Sequence, residues 1–295
     1  MNNTNNFQRS AFNSRLNSNF HSHSTFCDGR SSPEDFLKFA ISGKFRAYGF
    51  SSHSPLPFET FWNMSAVDMP EYLTECDRLK KKYEHLIEIY TGLEIDYLDE
   101  TYNPSIPYFR ELPLDYRIAS VHFLPLSGNL TESNMVCIDG SYEEFARSVD
   151  LHYEGDIRKI TERYYQSVYA MLEAGGFDIV GHPDKIYQNG HLYPGFTMDA
   201  DWYREPLMAC LELIAQKGYI VEINTKNLIR KQQLFPHVRY LPLLKKMHIP
   251  VMVNSDCHYP DLVNDGRPEA FKLLKNLGFR TTMELIKGEW KVKEM

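Results

Sequence analysis

The chain has 295 residues, with 32 Lys and Arg against 39 Asp and Glu, a formal net charge of −7. Hydrophobic residues at 43% and charged residues at 24% are those of a globular protein long enough to bury a sizeable core. An acidic balance without a basic footprint argues against a nucleic-acid or anionic-membrane partner, and no apolar run approaches the ~20 residues of a membrane span.

Residues 1–18, rich in Asn and Ser, read as a flexible or surface-lying lead-in, and 19–295 as a single domain. A short first strand is expected at Asn19–His23. Longer β-rich runs follow at Phe45–His53, Leu86–Asp96, Tyr116–Leu124, Phe177–His182, Tyr219–Thr225 and Ile249–Asp256. Between them lie helical patterns. Ser32 is an N-cap followed by Pro33, Glu34 and Asp35 in the first turn, with Phe36, Leu37, Ala40 and Ile41 on one face and Gly43 as the stop. Further helices are expected at Pro70–Tyr83, Ile157–Glu173, Trp202–Gln216 and Pro268–Leu277. Strand and helix alternating in this way mean a parallel sheet with crossover helices. An open doubly wound sheet carries a glycine-rich phosphate loop after its first strand, whereas this chain has His21-Ser22-His23 there. A closed α/β barrel is therefore expected. The five cysteines stand singly, with no Cys-x-x-Cys pair, and the polar start does not resemble a secretory signal, so a reducing cytoplasm is the expected location.

The chemistry is concentrated at the C-terminal ends of the expected strands. His21 and His23 end the first, and His53, Glu94, His122 and His182 fall at the ends of four others. Asp256 and His258 follow the last. In a parallel barrel that rim gathers side chains from distant parts of the sequence. Residues two apart on a strand share a face, so each terminal pair can offer two ligands to one spot. Imidazole plus carboxylate without clustered thiolates suits Zn²⁺, Mn²⁺ or Fe²⁺. These ligands exceed the needs of one ion, so two or three, bridged by Glu94 or Asp256, are expected. Asp96 shares a face with Glu94; either could bridge, and the other would hold a histidine tautomer. His85, His152, His191, His237 and His248 lack the strand-end placement and read as solvated or structural. Cys27 and Cys257 read as small buried hydrophobes.

The segments Phe20–Gly29 (FHSHSTFCDG), Gly49–Pro57 (GFSSHSPLP), Gly92–Asp96 (GLEID), Ser120–Leu124 (SVHFL), Asp178–Asp184 (DIVGHPD), Glu222–Lys231 (EINTKNLIRK) and Asn254–His258 (NSDCH) resemble, in order, the PHP (polymerase and histidinol phosphatase) superfamily, and within it the histidinol-phosphate phosphatase branch. The resemblance implies a distorted seven-stranded TIM-like barrel holding two or three divalent ions. It places metal ligands at His21, His23, His53, Glu94, His122, His182, Asp256 and His258. It adds Asp28, where Asp28-Gly29 is also a plain turn signal. The implied reaction is hydrolysis of a small phosphate ester, L-histidinol phosphate, with Asp256 and His258 in catalytic roles. The branch holds phosphate with two arginines, and this chain departs at both. Lys185 follows the Gly-His-Pro-Asp turn where no Arg is found, and Arg230 comes one residue late in its segment. Arg230 is the expected phosphate clamp, with Lys185 beside it; otherwise Arg230-Lys231 is a solvated pair. Asp68, Glu100 and Tyr102 are loop residues of the kind that would meet an amine or imidazole. Two alternatives are a PHP-type esterase acting on another phosphate ester and a non-catalytic metal-binding module.

Overall fold

Seven parallel strands, in the order β1-β2-β3-β4-β7-β8-β9, form a nearly closed barrel in the computed structural model, which describes residues 18–295. They are β1 (Ser18–Asn19), β2 (Ala47–Phe50), β3 (Glu88–Asp96), β4 (Tyr116–Ser120), β7 (Ile179–Val180), β8 (Ile220–Asn224) and β9 (Val251–Asn254). Two antiparallel hairpins are added, β5 (Phe123–Pro125) with β6 (Met135–Cys137), and β10 (Thr281–Ile286) with β11 (Glu289–Glu294). The expected lead-in lies outside the described residues, apart from Ser18, which pairs with Ala47. No described helix is long and apolar enough to cross a membrane.

The ring closes between β1 and β9 with little backbone pairing. A single bridge joins Ser22 to Cys257, and the His23 amide donates to Cys257 O at 2.9 Å. Side-chain amides do most of the rest, with the buried Arg267 guanidinium donating to Val253 O on β9 and Ser18 O on β1. Asn19 Oδ1 accepts from the Ser255 N–H and Asn254 Oδ1 from the Phe20 N–H, both at 2.9 Å. These polar groups are buried and could not be left unpaired cheaply.

Tyr116 fills the barrel interior. Its hydroxyl donates to Phe20 O at 2.7 Å and Phe50 O at 2.9 Å. Gly49 and Gly92 give it room, since a Cβ at either would overlap the Tyr116 side chain. Phe20, Ile118, Ile179, Ile220 and Met252 complete this inner layer. The β10–β11 hairpin caps it through Leu285, Met283 and Trp290. Arg46, just before β2, pairs with Glu284 at 2.7 Å, and Trp290 Nε1 donates to Asp178, just before β7, at 3.2 Å. The hairpin therefore covers the N-terminal ends of the strands and leaves the C-terminal rim open.

The helices surround the barrel over two larger apolar clusters. Pro33–Ser42 begins as expected, with Ser32 capping the Asp35 amide and buried Phe36, Leu37 and Ala40 facing inward. Met69–Tyr83, Ile157–Ala174, Asp201–Lys217 and Arg267–Asn276 lie within a residue of expectation at each end. Helix Tyr142–His152 was not anticipated. It begins with a full capping box, Ser141 with Glu144, and buries only Phe145 and Val149. The strands are shorter than the apolar runs. Phe177–His182 yields only Ile179–Val180, and Ile249–Asp256 yields Val251–Asn254. The backbone leaves the ladder there, and His182 (φ 23°) and Asp256 (φ 48°) enter the left-handed region that L residues rarely adopt.

Candidate metal centre

His21, His23, His53, Glu94, His122, His182 and Asp256 are buried together at the C-terminal rim. His258 stands at its margin with 14% of its side chain exposed. They arrive from six strand ends, with His21 and His23 both after β1 and Asp256 and His258 both after β9. Ser22, in the closing bridge, lets His21 and His23 flank it with ring centroids 5.1 Å apart. His53 is brought alongside Glu94 by a parallel bridge.

Glu94 is the hub. Its Oε2 lies 3.1 Å from His21 Nε2, 3.5 Å from His23 Nε2 and 3.0 Å from His53 Nδ1. Its Oε1 lies 3.0 Å from His182 Nε2 and accepts from Ser120 Oγ at 2.7 Å. Asp96, two residues on, takes a different position. Its Oδ1 is 3.0 Å from His122 Nδ1 and accepts the His122 backbone amide at 3.1 Å, turning Nε2 of that ring toward His182. Asp256 Oδ1 is 3.1 Å from His23 Nε2 and 3.8 Å from His21 Nε2. Asp28 Oδ2 is 3.2 Å from His258 Nε2, and its Oδ1 is 4.0 Å from His23 Nδ1.

Among the described residues, three groups each bring their ligand atoms within 4.8 Å of one another: His23, Asp28, His53 and His258; His21, His23 and Asp256; and His53, Glu94 and His122. The donor set fits divalent ions on an observation internal to the chain. His21 Nε2, His23 Nε2, His53 Nδ1 and Asp28 Oδ1 are buried with no hydrogen-bond partner. Imidazole nitrogens and carboxylate oxygens face one another in pairs, so a cation between them satisfies both and relieves an otherwise costly burial.

Electrostatics divide the histidines, with His23 held down and His21 and His122 lifted by the carboxylates around them. Burial and the neighbouring His258 and His53 hold His23 well below its ordinary value, the neutral form a ligand requires. Burial would raise the Glu94 carboxyl, but the surrounding His21, His53 and His122 hold it well down. Asp256 is held down against its burial by Lys226 and His21. His122 is lifted to about 9 because Asp96 and Glu94 outweigh its desolvation.

Four residues around the centre escaped sequence reasoning. Glu222 Oε1 accepts from His21 Nδ1 at 2.6 Å and from Asn254 Nδ2 at 3.0 Å, while its Oε2 accepts from Asn224 Nδ2 at 2.9 Å. The signal was present: an acid inside the apolar run Ile220–Ile223 needs a buried partner. Trp62 stands edge-on to His53 at 4.6 Å and stacks on Phe123 at 5.3 Å. Asp139 and Lys226 line the cleft that leads to the centre. For these three no local pattern distinguishes them from loop residues.

The phosphate-binding expectations separate. Lys185 is 2% exposed, 3.5 Å from Asp139 Oδ2 and 5.3 Å from the Phe235 ring centre. Arg230 is exposed on the short helix Leu228–Lys231, where it lines a smaller cleft of about 290 Å³ with Arg30, Lys226 and His258. The main cleft, about 530 Å³, is walled by Trp62, Phe123, Met135, Glu132, Asp139 and Glu144. Asp68, Glu100 and Tyr102 do not line it, and the Tyr102 hydroxyl is bonded to Pro55 O at 2.6 Å. Asp184 faces away from the centre, accepts the His237 amide at 2.7 Å, and is lifted by burial to about 7. Cys257 is buried against Tyr48 Oη at 3.6 Å, and Cys27, partly buried, lies 3.6 Å from His23 Nδ1; burial raises both thiols.

Residues 19–226 match the PHP domain. Histidinol-phosphatase of Bacillus subtilis is 29% identical over 257 residues, covering 81% of this chain and 92% of that protein. The HisK crystal structure from Listeria monocytogenes superimposes with a TM-score of 0.75 at 22% identity, covering 85% of this chain and 99% of that one. Histidinol phosphate phosphatase of Lactococcus lactis, solved with Zn, L-histidinol and phosphate, gives 0.68 at 20% identity, covering 94% and 99%. At these identities the two structures establish the barrel fold.

Proposed function

The chain belongs to the PHP domain family, and from that premise we propose that it is a metal-dependent phosphomonoesterase that hydrolyses L-histidinol phosphate to L-histidinol and phosphate. One observation carries the proposal. Nine side chains of ligand type, drawn from the ends of six barrel strands and the loops that follow them, converge beside an open cleft with nitrogen and oxygen atoms facing one another. A structural metal clip would be closed; this site has a mouth. The histidinol-phosphatase name of the B. subtilis relative and the L-histidinol and phosphate held by the L. lactis structure support the choice of substrate.

We assign His21, His23, Asp28, His53, Glu94, His122, His182, Asp256 and His258 to two or three divalent ions, with Zn²⁺, Mn²⁺ or Fe²⁺ suited to such donors. Bound there, the ions would supply Lewis acidity and a water activated as nucleophile at neutral pH. The chain does the remainder. Glu94 touches histidines from four other strand ends and fixes the spacing of the centre. Asp96 and Glu222 set the orientation of His122 and His21. Arg230, exposed at the neighbouring cleft, draws the phosphate dianion toward the rim. Lys185 balances Asp139 below the cleft floor. Asp256 and His258 both line the cleft and are the catalytic groups placed to orient, by hydrogen bonding, a water that protonates the leaving alkoxide. A leaving group bearing ammonium and imidazole suits a cleft that sets Glu132, Asp139 and Glu144 against Trp62 and Phe123.

The test is phosphate release from L-histidinol phosphate and a panel of other monoesters, with metal analysis of the same preparation. Two or three ions per chain with strong preference for histidinol phosphate is the expected result. Preference for a different ester overturns the substrate assignment, and absence of both metal and turnover after Mn²⁺ or Zn²⁺ addition overturns the enzyme assignment.

A further inference from the structure

Among the described residues, Lys226 is the only lysine or arginine that lines both the main cleft and the smaller cleft beside it, and the two meet at Asp28, Lys226, Asp256 and His258. Its base is fixed. The Lys226 amide donates to Asn224 Oδ1 at 3.1 Å, and the adjacent Thr225 is pinned through its amide to Asn254 O and through its hydroxyl to Asp265 O. From there the side chain reaches inward, one third exposed, with Nζ 3.2 Å from Asp256 Oδ1 and 3.3 Å from His258 Nε2. The other cations fail this geometry. Lys185 is 2% exposed against Asp139 and lines neither cleft, and Arg230 lines only the smaller one.

An ammonium carries three donors. Asp256 engages one. With Nδ1 facing Asp256 O at 3.1 Å and so carrying the ring proton, His258 Nε2 offers a single lone pair, which cannot serve a lysine N–H and a cation at once. When His258 acts as a ligand, Lys226 loses that acceptor and has two donors to place. The cleft it lines is where a phosphate ester must sit to reach the centre. We infer that Lys226 holds the non-bridging phosphate oxygens at the reacting position, while Asp256 keeps hold of one of its ammonium donors. The inference rests on the phosphatase reading above.

The experiment compares the metal-loaded full chain with Lys226→Met and Lys226→Arg. It reads bound metal by elemental analysis, affinity for inorganic phosphate by calorimetry, thermal unfolding, and kcat and KM separately. The methionine variant is expected to keep its metal content and unfolding midpoint and to bind phosphate about 10- to 100-fold more weakly, the loss of a charge-assisted hydrogen bond. The arginine variant is expected to keep phosphate affinity within about tenfold of the parent. Unchanged phosphate affinity in Lys226→Met overturns the inference. So does a gain of bound metal, which would make the ammonium a stand-in for a cation, or a loss of metal, which would make it a support for the ligands. A different preferred ester would undo the substrate reading alone, because the phosphate comparison does not depend on which alcohol leaves.

Discussion

Replacing Glu222 by Gln tests whether residues behind the ligands set metal affinity. Glu222 accepts four donors: His21 Nδ1 at 2.6 Å, Asn254 Nδ2 at 3.0 Å, Asn224 Nδ2 at 2.9 Å and, more weakly, the His182 amide at 3.4 Å. Its charge lifts the basicity of His21 and fixes Nδ1 as the protonated nitrogen, so that Nε2 faces Glu94 and Asp256. Glutamine keeps the shape but converts the short charge-assisted bond into a neutral one, a loss of about 1 kcal/mol. Its amide nitrogen must also face an Asn donor or His21, leaving one buried donor unpaired at a further cost of ~1–2 kcal/mol. Divided between folding and metal binding, this amounts to about 10- to 100-fold in metal affinity, the usual effect of such supporting carboxylates. The assay is competition for the ion against a chelator of known affinity, with turnover then measured at saturating metal. Weaker binding with largely restored turnover is expected. An unchanged metal affinity would refute the orienting role.

His122→Ala is expected to abolish phosphatase turnover while circular dichroism and the unfolding transition persist; full activity in metal-defined buffer would remove His122 from the centre. Gly49→Ala sets a Cβ against Tyr116 Oη and Phe20 inside the barrel and should cost about 1–3 kcal/mol in denaturant unfolding, as overpacked cores do. A neutral result there would mean that Tyr116 can yield. Glu34 accepts from Lys82, Tyr83 and Arg78, in that order of effect, and is held down to about 2. A depressed carboxyl contributes stability that is complete above its unfolded value near 4.5 and lost as pH falls toward about 2. The stability difference between the parent and Glu34→Gln should therefore be constant at neutral pH and shrink below 4.5. An equal difference at pH 6 and pH 3 would contradict the pairing.

The clustered histidines were legible because most of them interrupt or end an apolar run, where a polar ring has no reason to be unless it has a partner. The barrel was legible because alternation of periods two and 3.6 admits few architectures, and the His21-Ser22-His23 segment removed the open sheet. The lengths of the strands were not. Periodicity sees Phe177–His182 as one run, but His182 leaves the ladder after the Gly181 amide makes its last bond, to Ala119 O, and nothing apolar or polar in the pattern records a φ of 23°. The C-terminal hairpin was missed for a related reason. Its apolar Met283, Leu285 and Trp290 are sparse among charged neighbours, and Glu284 is buried only because Arg46 meets it from the other end of the chain.

The same distinction explains why the cation at the centre could not be assigned from the segment Asn224–Lys231. On sequence alone Lys226, Arg230 and Lys231 are equivalent positive charges, and arginine is the better phosphate ligand by chemistry. Which one reaches the site depends on where β8 ends and the next short helix begins. The turn Thr225–Asn227 holds Lys226 at the rim, while Leu228–Lys231 starts a helix whose last turn carries Arg230 outward. A phosphate clamp read from residue type favours Arg230; one read from position favours Lys226, whose Nζ already sits within hydrogen-bonding reach of Asp256. Position decides, because the Lys226 ammonium, 3.2 Å from Asp256 Oδ1 and one third exposed, acts across a less screened gap than a charge at the exposed lip, which solvent and salt attenuate. Raising the ionic strength should therefore weaken the capture provided by Arg230 and leave the hold of Lys226 comparatively intact. A KM that rises with salt in the parent but not in Arg230→Ala, alongside a salt-independent defect in Lys226→Met, is the expected pattern; salt dependence that survives in Arg230→Ala would place the steering charge elsewhere.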